Sequence, residues 1–208
     1  MFWYTLMMGS ETETSPDVLG NDYNEFGTKV SEILGGSISP QRIKCLIDAS
    51  NNQGFIFHGI KNDSKLPEIE DQGILPLTPE GGYISFWTIG ESLFGTKILG
   101  GRISTFDSTF FHYALSKSKT EENSLSMNIA VTKVGLIEPS QPKQLNTQLT
   151  FNYPIPRNQF ALLHVQEKIK NKQAIGDTRQ ELQEKMFCLL EQATMVNFQA
   201  GTTLQAMR

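Results

Sequence analysis

Apolar positions recur at helical spacing near both ends of this chain. Their three- and four-residue intervals predict a helix over residues 24–34 and a second helix that starts at Ser39-Pro40, because serine is a good N-cap and proline suits the first helical position. A third helix is predicted to follow Asp177, whose carboxylate would cap it. The apolar stripe of this third helix consists of Leu182, Met186, Leu189, Leu190 and Ala193.

The middle of the chain follows the strand pattern instead. Four short runs rich in aromatic and β-branched residues predict strands, at residues 55–57, 83–87, 127–132 and 160–165. Between the first two runs, residues 66–72 predict a short helix that ends at a glycine in the C′ position. Strands in the middle with helices at both chain ends predict an α+β fold with a mixed, largely antiparallel sheet.

These elements divide the 208 residues into segments of one domain. We expect an apolar start and flexible linker over 1–20, an N-terminal helical addition over 21–53, the core over 54–170 and a C-terminal helix over 171–208. The apolar start is far too short to span a bilayer and lacks the basic region of a signal peptide, so no membrane association is expected.

Composition narrows the classes of function. A net charge of −4 argues against binding nucleic acid through the whole surface. The two cysteines lie far apart in the sequence, which predicts no disulfide framework and a reduced, cytoplasmic setting. The three histidines show no metal-ligand spacing, and no metal is expected.

The residues that suggest chemistry lie at the ends of two predicted strands. His58 is followed by Gly59, and Tyr83 is preceded by Gly81-Gly82. A glycine beside an imidazole or a phenol lets a ligand approach the backbone closely. Strand ends also hold side chains on a rigid scaffold, which suits a binding site. Taken singly, each residue is more typical of a half-buried strand position than of a site.

Three blocks in this order resemble the ADP-ribosyltransferase superfamily of the diphtheria-toxin and poly(ADP-ribose) polymerase type. The blocks are Phe57-His58-Gly59, Gln72-Gly73-Ile74 and Gly82-Tyr83-Ile84-Ser85. The resemblance implies that NAD binds in a cleft and that ADP-ribose passes to a macromolecular acceptor, either protein or nucleic acid, with release of nicotinamide. It further implies that His58 hydrogen-bonds a ribose of NAD, that Tyr83 stacks on nicotinamide, and that Gly59, Gly82 and Ser85 lie beside them.

The family also carries an acidic residue at the start of a late strand, where this chain has Gln159. A carboxylate there stabilises the positive charge that develops on the ribose as nicotinamide leaves. A neutral amide can hydrogen-bond but carries no full charge. Gln159 and Tyr83 are the catalytic candidates. If Gln159 only orients the substrate, a carboxylate such as Glu80 or Glu91 would have to supply the negative charge.

Two functions therefore stay open. The first is NAD-dependent ADP-ribosyl transfer, and the second is a non-catalytic nucleotide-binding or protein-interaction module that keeps the fold. Gln159 favours the second, as does Ile60, which stands where the family usually has threonine or serine. A third possibility, the related RNA 2′-phosphotransferase branch, ranks last, because it needs several basic residues for a phosphate and only Arg102 and Arg157 are arginines near the proposed core.

Overall fold

The computed structural model describes residues 28, 31–32, 35–78, 82–89, 123–137, 148–169 and 175–206 of the chain, together with three strands listed below that lie between them. The predicted apolar start, most of the predicted helix over 24–34, and both Glu80 and Glu91 lie outside the described residues. None of the described helices has the length and apolarity that crossing a membrane requires.

Three α-helices are described: α1 (Pro40–Asn52), α2 (Leu66–Gln72) and α3 (Ile175–Glu191). Helix α1 begins as predicted, because the Ser39 side chain accepts a hydrogen bond from the Arg42 backbone N–H at 3.3 Å. Helix α2 and its terminal Gly73 also match the prediction. Asp177 was predicted as a cap, but α3 starts two residues earlier and places it in the first turn, where its charge still suits the helix dipole. A π-helical turn, Gln192–Val196, follows α3.

Nine strands are described, and each of the four predicted runs overlaps one of them, although Tyr83 and Phe160 stand just before theirs. They are β1 (Phe55–Gly59), β2 (Ile84–Trp87), β3 (Thr96–Leu99), β4 (Arg102–Thr105), β5 (Leu115–Lys117), β6 (Ser124–Lys133), β7 (Gln148–Phe151), β8 (Ala161–Lys168) and β9 (Thr203–Gln205). Short 3₁₀ helices, Asp63–Lys65 and Arg157–Gln159, precede α2 and β8.

Seven strands form the main sheet, in the order β7-β2-β1-β6-β8-β9 with β5 also paired to β6, while β3 and β4 pair separately. All pairs in the main sheet are antiparallel except β8 with β9, which is parallel. The α+β class with a mixed, largely antiparallel sheet is therefore confirmed. The segment over 171–208 is more than the helix predicted for it, because its last part returns to the sheet as β9.

Two apolar clusters cover the two faces of this sheet. Because successive side chains of a strand point to opposite faces, Phe55 and Phe57 of β1 join the cluster under α1 and α3, while Ile56 joins the other cluster with Ile69 of α2. Each fully buried side chain of this size contributes roughly 1.5–3 kcal/mol to folding. By the same alternation, His58 belongs to the face of Ile56.

Helix α2 is fixed to the starts of β8 and β9 by one arginine. The Arg157 guanidinium donates hydrogen bonds to Glu70 of α2 at 2.6 Å, to the Phe160 carbonyl at 2.8 Å and to the Thr203 hydroxyl at 2.8 Å. Partial burial raises the pKa of Glu70, but the hydrogen bonds from Arg157 and Thr203 outweigh that effect and hold the pKa below its usual range. The network keeps α2 in place beside the end of β1.

Candidate functional site

An open cleft of about 760 Å³ lies at the end of β1. Its walls are the last residues of β1 with the loop that follows, one side of α2, the turn over 73–78, and two residues after β7. This volume falls in the usual range for small-molecule sites. The lining used below consists of His58, Gly59, Lys61, Lys65, Glu68 and Leu77.

His58 is held in this wall with a defined proton arrangement. Its Nδ1 lies 2.8 Å from the Ser85 carbonyl oxygen, and because a carbonyl only accepts, Nδ1 must carry the hydrogen and donate it. The neutral ring then has its lone pair at Nε2, which no described residue hydrogen-bonds. The ring also packs on Phe86, with centroids 5.4 Å apart. Because His58 lines the cleft, its Nε2 is the candidate acceptor for a hydroxyl group bound there.

The environment favours the neutral ring. Burial lowers the pKa of His58 below its ordinary value of 6.5, and the hydrogen bond to the Ser85 carbonyl offsets only part of that effect. A neutral imidazole can accept a hydrogen bond at Nε2, whereas an imidazolium cannot.

Four of the predicted site residues meet at this strand end. His58 and Gly59 line the cleft directly, and Ser85 contributes its carbonyl as the partner of His58 rather than its hydroxyl. Gly82 packs against the turn that forms the opposite wall, where an added Cβ would lie only 2.8 Å from the Leu77 backbone nitrogen. The glycine before the tyrosine is therefore required for the close approach of two backbones.

Tyr83 stands just before β2 and is 66% exposed. It is not among the residues that line the cleft. Leu77, which is 90% exposed, lies beside Gly82, the residue before Tyr83. Two large side chains, those of Leu77 and Tyr83, are therefore exposed in this region. Tyr83 is therefore an exposed residue outside the lining of the cleft, next in sequence to Gly82, which packs against the cleft residue Leu77.

Gln159 lies elsewhere. Strands β1 and β8 both pair antiparallel with β6, and His58 is level with Ala130, which is level with Leu162. Gln159 precedes Leu162 by three residues and is therefore level with Phe55 at the start of β1, whereas His58 lies near the end of that strand. With strands about 4.8 Å apart and rising about 3.3 Å per residue, the separation from His58 is on the order of 10 Å or more.

Gln159 is held to its neighbours through its backbone. Its backbone carbonyl accepts a hydrogen bond from the Thr132 hydroxyl at 2.6 Å. Its side-chain oxygen is buried, with no hydrogen-bond partner among the described residues. The structure therefore does not bring the predicted catalytic amide together with His58.

Charged residues in the cleft were overlooked in the sequence. Lys61, Lys65 and Glu68 all line it, and the Lys65 ammonium lies 2.7 Å from the Glu68 carboxylate. The sequence did contain a signal for them: the predicted helix follows shortly after His58-Gly59, so the polar residues at the start of that helix are expected close to this strand end. The three-residue spacing of Lys65 and Glu68 also puts them on one side of the helical segment.

A second polar cluster lies under the loop after β1. The His164 ring is hydrogen-bonded to the Asn128 side chain, and the Asn128 carbonyl accepts from the Ile60 backbone N–H at 2.9 Å. Asp63, which is 1% exposed, contributes negative charge near His164. Burial nevertheless lowers the pKa of His164, outweighing Asp63 and a hydrogen bond with Gln166. In the sequence, Asn128 and His164 each interrupt a largely apolar strand run, and this was the signal that could have identified the cluster.

The lowered pKa values of His58 and His164 predict that the protein loses stability in mild acid. Both have a folded-state pKa below 6.5, so between that value and their folded-state pKa the unfolded chain binds more protons, and the free energy of unfolding falls as pH falls. We expect a loss of up to about 1 kcal/mol per histidine between about pH 6.5 and pH 5.5. Urea unfolding across this range measures it.

The variant His164→Gln is the informative comparison, since it removes one of the two titrating groups. Its unfolding free energy should depend less steeply on pH than that of the wild type over the same range. Equal slopes for the two proteins would contradict the assignment. The Glu70 carboxylate, whose pKa is held low, titrates below this range and does not disturb the comparison.

Within the described residues, no group of three or more His, Cys, Asp or Glu side chains is arranged to hold a metal ion. Comparison of the chain with protein-family models, with curated proteins and with solved structures finds no match.

Proposed function

We propose that this chain has an ADP-ribosyltransferase-like core, binds NAD in the cleft beside His58, and transfers ADP-ribose to a macromolecular acceptor in the cytoplasm with release of nicotinamide. The observation that carries the proposal is the neutral His58, with Nδ1 fixed by the Ser85 carbonyl and Nε2 left to a ligand. A ribose hydroxyl is a donor of the kind that this lone pair accepts.

The walls of the cleft suit a dinucleotide. Lys61 and Lys65 both line it and carry positive charge that suits a diphosphate. Gly59 offers backbone without a side chain, which allows a flat ring to come close. Tyr83 is exposed and follows Gly82 directly, and its ring is available to stack on such a group. Stacking of this kind would hold the ribose–nicotinamide bond in line for attack.

A second candidate function is a non-catalytic nucleotide-binding module. The specific observation in its favour is that Gln159, which stands where the family has an acidic residue, is neutral and does not line the cleft. Such a module would bind NAD and leave it intact. The two functions therefore differ in one readout, the release of nicotinamide.

The experiment is an assay of nicotinamide release from NAD by the purified protein and by variants at two positions. His58→Ala should abolish release, because the hydrogen bond to the ribose is lost. Tyr83→Ala should reduce release strongly, whereas Tyr83→Phe, which keeps a ring for stacking, should retain most of it. Circular dichroism and thermal unfolding establish that each variant is folded.

Three outcomes separate the candidates. Release that depends on His58 supports ADP-ribosyl transfer. Binding of NAD without release, lost in His58→Ala, supports the non-catalytic module. If NAD neither binds nor breaks down, the NAD proposal is wrong in both forms.

A further inference from the structure

The cleft contains a carboxylate on helix α2, whereas the family resemblance places one at the start of the late strand β8. Glu68 of α2 is the one acidic side chain among the described residues that line it. It shares the cleft with His58, whereas Gln159 does not. The cleft therefore combines a hydrogen-bond acceptor for a sugar with a negative charge, without any contribution from the late strand.

Two other carboxylates that the structure describes in this region are unsuited to act in the cleft. Asp63 is 1% exposed and lies under the loop near His164. Glu70 is bound by Arg157 and Thr203, on the side of α2 that faces the starts of β8 and β9. Neither residue lines the cleft.

We propose that Glu68 is the catalytic carboxylate of this cleft and stabilises the ribose cation that forms as nicotinamide leaves. The inference rests on the proposed function of NAD cleavage. In the step, the bond between the ribose C1′ and the nicotinamide nitrogen breaks, and both bonding electrons stay with nicotinamide, which leaves as a neutral molecule. An acceptor nucleophile forms the new bond to C1′ and gives its proton to Glu68, which passes it to solvent.

The ion pair with Lys65 is compatible with this role. The Lys65 side chain is 59% exposed and that of Glu68 40% exposed. A pair this exposed contributes little to stability, so its ammonium can turn to another anion at small cost. A diphosphate in the cleft is such an anion. Binding of NAD would then draw Lys65 away and leave the Glu68 charge to the ribose.

The test compares Glu68→Gln with the wild type and with Asp71→Asn, a matched control on the same helix that does not line the cleft. NAD binding is measured by calorimetry, and kcat for nicotinamide release is measured separately. Removal of a charge that acts on the transition state should lower kcat about 100-fold. The affinity for NAD should stay within about threefold, because the ground state carries no ribose cation.

Glu68→Asp serves as a second variant that keeps the charge on a shorter side chain, and it should recover part of the lost rate. Near wild-type kcat in Glu68→Gln would overturn the inference while leaving the proposed function intact. Equal loss in Asp71→Asn would also overturn it, because the effect would then be general to the helix. Failure of the wild type to bind NAD would instead remove the proposed function itself.

Discussion

Replacing Gly73 with alanine is expected to destabilise the protein by at least about 3 kcal/mol and to collapse the wall of the cleft. Gly73 has φ of 79° and ψ of −165°, a conformation open in practice only to glycine. A Cβ added there would lie 2.2 Å from the Ile155 carbonyl oxygen and 3.0 Å from the Arg157 nitrogen. Both atoms belong to backbone, so neither can move aside cheaply.

This clash would disrupt two backbone hydrogen bonds in the wall of the cleft. Ile74 and Ile155 exchange backbone hydrogen bonds of 3.0 and 2.9 Å, and this bridge attaches the turn after α2 to the segment before β8. Urea unfolding of Gly73→Ala, with Gly135→Ala as control, measures the cost. Gly135 has open space around the position of a Cβ, so its variant should stay within about 0.5 kcal/mol of the wild type. Similar stability of the two variants would contradict this account of the turn.

Replacing Phe86 with alanine is expected to cost about 3–5 kcal/mol and to weaken ligand binding as well. Phe86 is fully buried, with its ring edge-on to Phe151 at 5.7 Å and beside His58 at 5.4 Å. Truncation leaves a cavity and removes the surface against which the imidazole packs. For a chain of this length, thermal unfolding should shift down by on the order of 10 °C.

Phe86→Leu is the matched control, since it stays apolar and fills most of the space. It should cost clearly less than the alanine variant and should retain more affinity for NAD. If Phe86→Ala weakened stability alone, with NAD affinity unchanged, then Phe86 would not support His58. A cost below about 1 kcal/mol would contradict the packing itself.

The local features of this fold were predictable because short-range chemistry determines them. Ser39 caps α1 because its hydroxyl reaches the Arg42 N–H, and Gly73 ends α2 because only glycine adopts its backbone conformation there. The strand runs around Phe57 and Phe86 were visible in their aromatic and β-branched content. These signals lie within a few residues of the elements they specify.

Long-range arrangement was the part that sequence did not supply. Strand β9 has three residues, too few for a pattern, and its place beside β8 depends on pairing with a strand about 40 residues earlier in the chain. Only the resemblance of a short segment to the late strand of the ADP-ribosyltransferase family assigns Gln159 to the NAD site. Its position instead follows from the register of β6 with β1 and β8, which no local pattern encodes. Glu68 was missed because its role depends on which side of α2 faces the cleft.

Calorimetric titration of NAD into the wild type and His58→Ala tests the central claim most directly. We predict saturable one-to-one binding to the wild type, with Kd between about 1 μM and 1 mM. His58→Ala should remain folded and bind at least about tenfold more weakly, because the hydrogen bond at Nε2 is lost. His164→Gln, which lies outside the cleft, should bind like the wild type at about pH 7.5. Absence of binding to the wild type, or equal affinity in His58→Ala, would contradict the assignment of this cleft.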